Sequence, residues 1–200
     1  MRALAFLLCL SGFWAQAASA DTVDVCYNYG CSVQAGVEIT PHQLEALQAL
    51  LARSGDASSE RLALAATLGR MYRMAGAQTP IWRDKGGNSE DDEVEGRMDC
   101  VDHSTNTSRF LELLSGRGWL RFHDPLPRQM RRRGLIFDHW TAVIEERDSG
   151  EKFAVDSWFF DHGEAAAVLP FEEWLDGRDP DIRQRVAEAV QEQMERQVSQ

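Results

Sequence analysis

Cys100, His139 and Asp156 have the side chains and the chain order needed for nucleophilic attack on a carbonyl carbon. A thiolate is a good nucleophile, and an imidazole is the usual group that takes up its proton. A carboxylate that accepts one ring N–H fixes the imidazole tautomer and leaves the other ring nitrogen for the thiol. These residues therefore form a candidate nucleophile, base and orienting group.

The first twenty residues bear on which cysteines remain in the working protein. Arg2, the apolar run 3–13 and the small residues 18–20 predict a secretory signal peptide over 1–20. We therefore expect an exported protein, periplasmic or extracellular, with a single domain over 21–200. The apolar run is shorter than the roughly 20 residues of a membrane span, and no comparable run follows. No integral membrane segment is expected after the signal peptide.

Cysteine pairing singles out Cys100. Without Cys9 in the signal peptide, Cys26, Cys31 and Cys100 remain. Cys26 and Cys31 enclose a short segment with Asn and Gly, residues that allow a tight turn, so a disulfide between them is the most economical pairing. Cys100 then remains unpaired. The alternatives are that Cys100 pairs with one of the other two, or is a buried apolar residue.

Three segments have the apolar residues of amphipathic helices, and the first two also begin with capping residues. They run from Thr40 to about Arg53, from a cap at Ser58 or Ser59 to Gly76, and from Cys100 to about Ser115. The first two form an N-terminal helical scaffold. The third places Cys100 at a helix start, where unpaired N–H groups and the helix dipole favour a thiolate over a thiol. A further helix at the C-terminus begins at Asp179 and Pro180.

The clearest β signal is a hairpin of residues 139–144 and 152–158 around a turn at 148–150. His139 begins one strand and Asp156 lies late in the next, so the two side chains should be neighbours. Shorter strands are predicted at 119–122 and 168–169, and a helical turn at 170–175. The acidic segment 83–96 and the three arginines 131–133 are predicted as solvated loops.

The order and setting of these residues resemble the transglutaminase-like superfamily of the papain-like clan, especially the bacterial transglutaminase-like cysteine proteinases. There a Cys opens a helix, a His begins a strand and an Asp lies on the next strand, matching Cys100, His139 and Asp156. The resemblance covers mainly residues 98–158. It implies an α+β, papain-like fold with helices on a small antiparallel sheet. It also implies a thiol-dependent hydrolase or acyltransferase acting on amide bonds of a protein or peptide.

Several alternatives remain. His103, three residues after Cys100, is an alternative base or the second ligand of a local metal pair, although a satisfied or exposed histidine is favoured. Asp138 and Asp161 are alternative orienting groups. No His-Glu-x-x-His pattern or zinc-ligand spacing occurs, so neither a metal nor another cofactor is predicted.

The net charge of −11 disfavours nucleic acid and anionic membrane surfaces as partners. The alternative to an enzyme is a catalytically inactive binding or envelope-assembly protein with the same fold.

Overall fold

In the computed structural model, which describes residues 19–88, 90–133 and 137–180, helices pack on a small antiparallel sheet. The strands are β1 (Asp21–Tyr27), β2 (Val33–Ile39), β3 (His123–Arg133), β4 (Phe137–Glu146), β5 (Lys152–Asp156) and β6 (Ala167–Pro170). The helices are α1 (Pro41–Leu51), α2 (Ala57–Gly76), α3 (Cys100–Gly116) and α4 (Phe171–Leu175), with a 3₁₀ helix at Pro80–Arg83. This confirms the α+β prediction.

Two predicted elements fall outside the described residues. They are the signal peptide, of which only residues 19 and 20 are described, and the C-terminal helix, of which only its predicted start at 179 and 180 is described. Within the described part of the chain, no helix has the length and apolar character needed to cross a membrane.

Local capping explains where the first two helices begin. At α1 the Thr40 side chain accepts the Gln43 N–H and the Gln43 side chain accepts the Thr40 N–H, as predicted. At α2 the predicted serine cap is wrong, because Asp56 is the capping residue. Its carboxylate accepts the Ser59 N–H at 2.7 Å, and Ser59 is the reciprocal partner in the third helical position.

Strands β1 and β2 form a separate two-stranded antiparallel sheet. The four-stranded sheet has the order β3-β4-β5-β6, and each neighbouring pair is antiparallel. The strand predicted at 119–122 is wrong, since β3 begins only at His123. The N–H groups of Arg121 and Phe122 donate instead to the buried carboxylate of Glu60, at 2.7 and 3.0 Å. This side chain on α2 therefore takes the place of a strand partner.

The prediction of a solvated loop over the three arginines is also wrong, since they lie on the edge strand β3. The Arg131 side chain is only 5% exposed. It donates to the carbonyl oxygen of Trp174 and to the carboxylate of Asp179, both at 2.5 Å. Arg131 therefore anchors the segment that follows α4 to the sheet.

Helix α3 contacts both sheets, through β1 of the two-stranded sheet and through β3 and β4 of the four-stranded sheet. The C-terminal half of its buried face is apolar, with Phe110, Leu111 and Leu114 in the core. Its N-terminal half buries polar side chains instead, from Asp102 to Thr107. Because buried polar groups need hydrogen-bond partners, this half of α3 is the part of the fold where specific polar contacts are concentrated.

Candidate active site

Cys100 occupies the first helical position of α3, as predicted. Asp99 is the capping residue: its side chain accepts the Asp102 N–H at 2.9 Å, and the Asp102 carboxylate accepts the Asp99 N–H at 3.2 Å. The Cys100 N–H therefore belongs to the first turn, whose amides have no acceptor within the helix. The Cys100 thiol is free and partly exposed, and its Sγ lies 3.8 Å from the carbonyl oxygen of Asp138.

The predicted disulfide between Cys26 and Cys31 is present, and its loop contacts the start of α3. The four residues ending at Cys31 have φ between 58° and 63°, so the loop is a left-handed turn. The Gly30 N–H donates to Asp99 at 3.0 Å, and the Cys31 N–H donates to Asp102 at 2.6 Å. The disulfide loop therefore donates hydrogen bonds to both carboxylates of the α3 cap, Asp99 directly before Cys100 and Asp102 two residues after it.

Burial raises the pKa of Asp102 to about 6, and the negative charge of Asp99 adds to the effect. The N–H groups of Cys31 and Asp99 lower this pKa and offset only part of the rise. Because the folded pKa lies above the ordinary value, the stability that protonated Asp102 contributes is full below about pH 4 and is lost as the pH rises through about 6.

His139 and Asp156 lie on the same face of the sheet. Ala142 pairs with Val155, and continuing this register by one residue places Asp156 opposite Thr141. His139, two residues before Thr141, is thus the diagonal neighbour of Asp156 rather than its direct partner. The His139 Nε2 and Asp156 Oδ2 atoms are 2.7 Å apart. The predicted proximity is present, and Nδ1 is the ring nitrogen left for Cys100.

Asp156 is 2% exposed, and each of its carboxylate oxygens accepts hydrogen bonds. Besides His139, Oδ2 accepts the indole N–H of Trp174 at 3.2 Å, and Oδ1 accepts the Trp158 N–H at 3.1 Å. The bond to the residue two positions later turns the chain, which explains why β5 ends at Asp156 and not at residue 158. These three donors hold the carboxylate in one orientation.

The pKa of His139 is raised to about 9 although burial by itself would lower it. The hydrogen bond from His139 to Asp156 and the one between His139 and the Cys100 thiol outweigh the burial, and the negative charges of both partners add to the rise. His139 therefore holds its second proton at neutral pH. An imidazolium in this position can stabilise a neighbouring thiolate and can later give up a proton.

Aromatic side chains surround the His139 ring. Ring centroids of Trp158, Phe159 and Trp174 lie 4.9, 5.4 and 5.9 Å from that of His139. His139 is consequently only 4% exposed. Exclusion of water from the bond between His139 and Asp156 strengthens that bond, because the local dielectric constant is low.

The structure does not bring the alternative orienting groups onto His139. Asp138 makes a bidentate ion pair with Arg132, its partner on the neighbouring strand β3, at 2.6 and 2.8 Å, and both side chains are exposed. Asp161 pairs with Lys85 at 2.8 Å. Each of these carboxylates thus has its own cationic partner.

His103 is a buried histidine with both ring nitrogens bonded, as the favoured interpretation expected. Its Nε2 lies 2.9 Å from Asp84 Oδ2 and its Nδ1 lies 2.9 Å from Ser157 Oγ. The prediction that the acidic segment is wholly solvated is therefore wrong for Asp84, which is 2% exposed. Asp84 is buried because it accepts hydrogen bonds both from His103 and from the Met98 N–H at 2.8 Å.

Two contributors to the site were missed by sequence reasoning. Trp174 lies in the segment predicted only as a helical turn, and Asp84 is one acidic residue among several in a segment predicted as a solvated loop. Trp174 lies on α4, directly after β6, and β6 pairs with β5, which ends at Asp156. Knowledge of the strand order would therefore have placed Trp174 near Asp156. No local signal distinguishes Asp84 from the other acidic residues of its segment.

One group of potential metal ligands occurs among the described residues, namely Cys26, Cys31 and Asp102. Its two sulfur atoms are joined in the disulfide and cannot act as thiolate ligands. This group therefore does not fit a metal centre.

Comparisons with protein-family models, with curated proteins and with solved structures found no match. The functional hypothesis accordingly rests on the chemistry of Cys100, His139 and Asp156.

Proposed function

We propose that this protein is an exported thiol-dependent hydrolase or acyltransferase that acts on amide bonds of a protein or peptide, with a papain-like, transglutaminase-like fold. Cys100 is the nucleophile, His139 the acid and base, and Asp156 the orienting group. One observation carries the proposal: the buried His139 is hydrogen-bonded to a buried carboxylate, and the free Cys100 thiol at a helix start acts on the pKa of the same ring. This arrangement can activate a sulfur nucleophile.

In the first half of the reaction, the Cys100 thiolate attacks the carbonyl carbon of the amide and forms a C–S bond. The carbonyl oxygen becomes an oxyanion, which the Cys100 N–H at the helix start can stabilise. The His139 imidazolium then donates a proton to the amide nitrogen, the C–N bond breaks, and an amine leaves. The product is a thioester on Cys100, with His139 neutral.

In the second half, neutral His139 takes a proton from the incoming nucleophile, which attacks the thioester carbonyl. If this nucleophile is water, the products are a carboxylic acid and the free enzyme; if it is an amine, a new amide forms. In both cases the C–S bond breaks and Cys100 returns to the thiolate beside protonated His139. Asp156 keeps its bond to Nε2 throughout, so Nδ1 remains directed at the reacting atoms.

The test is the rate at which an iodoacetamide-alkyne probe labels Cys100, measured at pH 6 and pH 9.5 in wild type, Cys100→Ser and His139→Ala. An ordinary thiol with a pKa of about 8.5 is less than 1% ionised at pH 6, so it reacts slowly. We expect wild type to react at pH 6 at least about tenfold faster than His139→Ala, and the two to converge at pH 9.5. Cys100→Ser should not label.

His123→Ala is the matched control. His123 is also buried and paired with a carboxylate, Glu60 at 2.9 Å, but it pairs with Glu146 in the sheet, seven residues along β4 from His139. This variant should label like wild type. Equal labelling of wild type and His139→Ala at pH 6 would refute the proposal and favour the non-catalytic binding protein.

A fluorescent primary amine that becomes attached to casein only with intact Cys100 would identify acyl transfer; release of peptides without attachment would identify hydrolysis.

A further inference from the structure

A second buried polar cluster lies directly behind the candidate active site. It consists of Asp84, His103 and the hydroxyl groups of Ser157, Tyr72 and Thr107, all of which are buried. The three hydroxyl oxygens lie 3.0 Å from one another. His103 connects them to Asp84, since its two ring nitrogens lie 2.9 Å from Ser157 and from Asp84.

Asp84 ties His103 to the chain just before Cys100. One carboxylate oxygen of Asp84 accepts the Met98 N–H, and the other faces His103 Nε2. A carboxylate in this role only accepts, so Nε2 carries a proton and donates it to Asp84. The backbone two residues before Cys100 and the side chain three residues after it are thereby held by the same carboxylate.

Ser157 ties His103 to the other half of the candidate active site. Ser157 directly follows Asp156, and its hydroxyl oxygen lies 2.9 Å from Nδ1 of His103. The Tyr72 hydroxyl closes the network from α2, because it donates to the carbonyl oxygen of His103 at 3.0 Å. His103 therefore bridges the first turn of α3, which carries Cys100, and the end of β5, which carries Asp156.

Burial excludes a direct chemical role for His103, which is 3% exposed and has both ring nitrogens occupied. An apolar side chain would fill the same volume without the cost of burying polar groups. A fully bonded polar network instead fixes one geometry, because each hydrogen bond constrains distance and direction. A thiol site needs such precision, since displacement of a reacting group by about 1 Å can cost roughly a hundredfold in rate.

We propose that His103 is a positioning residue for the thiol site: through Ser157 and Asp84 it sets Cys100 relative to His139 and Asp156. This inference rests on the proposed function. It assigns to the buried cluster the task of keeping the nucleophile-bearing helix and the Asp156-bearing strand at a fixed separation.

The decisive variants are Ser157→Ala and His103→Ala, probed with iodoacetamide at pH 6 and pH 9.5. Loss of the bridge should weaken the contact between Cys100 and His139, so we expect the pH 6 rate to fall about tenfold. The pH 9.5 rate should change less than about twofold, because an ordinary thiol is itself ionised there. His103→Gln, whose amide can still reach Asp84, should recover part of the pH 6 rate lost in His103→Ala.

A purely structural role would lower the thermal midpoint without changing the ratio of the rates at the two pH values. His123→Ala is the control for such a structural effect. It removes another buried histidine, which pairs with Glu146, seven residues along β4 from His139. If His103→Ala does not fold, Ser157→Ala decides. Wild-type rate ratios in Ser157→Ala, together with a reduced ratio in His139→Ala, would overturn this inference and leave the proposed function standing. If wild type and His139→Ala react alike, both are overturned.

Discussion

Replacement of Asp156 by Asn tests how the site holds a proton on His139. The substitution keeps the size of the side chain but removes its negative charge. Asp156 Oδ2 lies 2.7 Å from His139 Nε2 in a setting that is almost fully buried. The loss of charge is therefore poorly screened by solvent, and its effect on His139 should be large.

The magnitude follows from the pKa of His139, which is about 9 where an ordinary histidine has 6.5. One pH unit corresponds to about 1.4 kcal/mol, so the folded protein favours the imidazolium by about 3 kcal/mol. Burial lowers the pKa of His139, and without the Asp156 charge this effect is opposed mainly by Cys100. We therefore expect the pKa of His139 to fall below about 7.

The sign of the stability effect is set by the same pKa. Because it is raised on folding, the stabilisation is fully present below pH 6.5 and is lost as the pH rises to about 9. The destabilisation caused by Asp156→Asn should therefore be about 3 kcal/mol larger at pH 6 than at pH 9.5.

The assay combines an NMR titration of the His139 ring proton with urea unfolding at both pH values. Asp138→Asn is the matched control: it removes a carboxylate next to His139 in sequence that pairs with Arg132. We expect this control to leave the His139 titration near 9. Titration near 9 in Asp156→Asn, or an unfolding difference that is the same at pH 6 and pH 9.5, would refute this account of the site.

Two further predictions concern stability. The double variant Cys26→Ser, Cys31→Ser should have a free energy of unfolding lower by about 2 kcal/mol, because the unfolded chain gains the entropy that this short disulfide loop withholds. An unchanged urea midpoint would contradict this. Glu60→Gln should lose about 3 kcal/mol at pH 7, because the buried carboxylate accepts from two backbone N–H groups and from His123. Burial raises the pKa of Glu60, but the bonds to His123 and the backbone outweigh it and lower the pKa overall. Its stabilisation is therefore present above about pH 4.5 and lost at lower pH, so wild type and variant should converge in acid unfolding.

The helices and the hairpin were predictable because their signals are local. The capping box at Thr40 and the apolar spacing after it indicated the start of α1, and the apolar residues after Cys100 indicated α3. The disulfide also came from a local signal, a short spacing with turn residues between Cys26 and Cys31.

Strand β3 was missed for an equally local reason. It contains Pro125 and Pro127 and ends in three arginines, a composition that disfavours a strand. The structure accommodates the prolines because β3 is an edge strand with a register shift between Leu126 and Gln129. Whether a strand lies at an edge depends on the order of the whole sheet, which local composition does not contain.

The sequence by itself determined the candidate triad: an unpaired thiol at a helix start, and a histidine and an aspartate on paired strands. Only the tertiary structure decided what surrounds them. Trp174 donates to Asp156, and Asp84 and Ser157 enclose His103, across separations of 18, 19 and 54 residues. Polar residues are usually exposed, so their burial in a bonded network becomes visible only when distant segments meet. Helical and strand periodicity specify which face of an element is apolar, whereas packing specifies which polar groups find partners inside the protein.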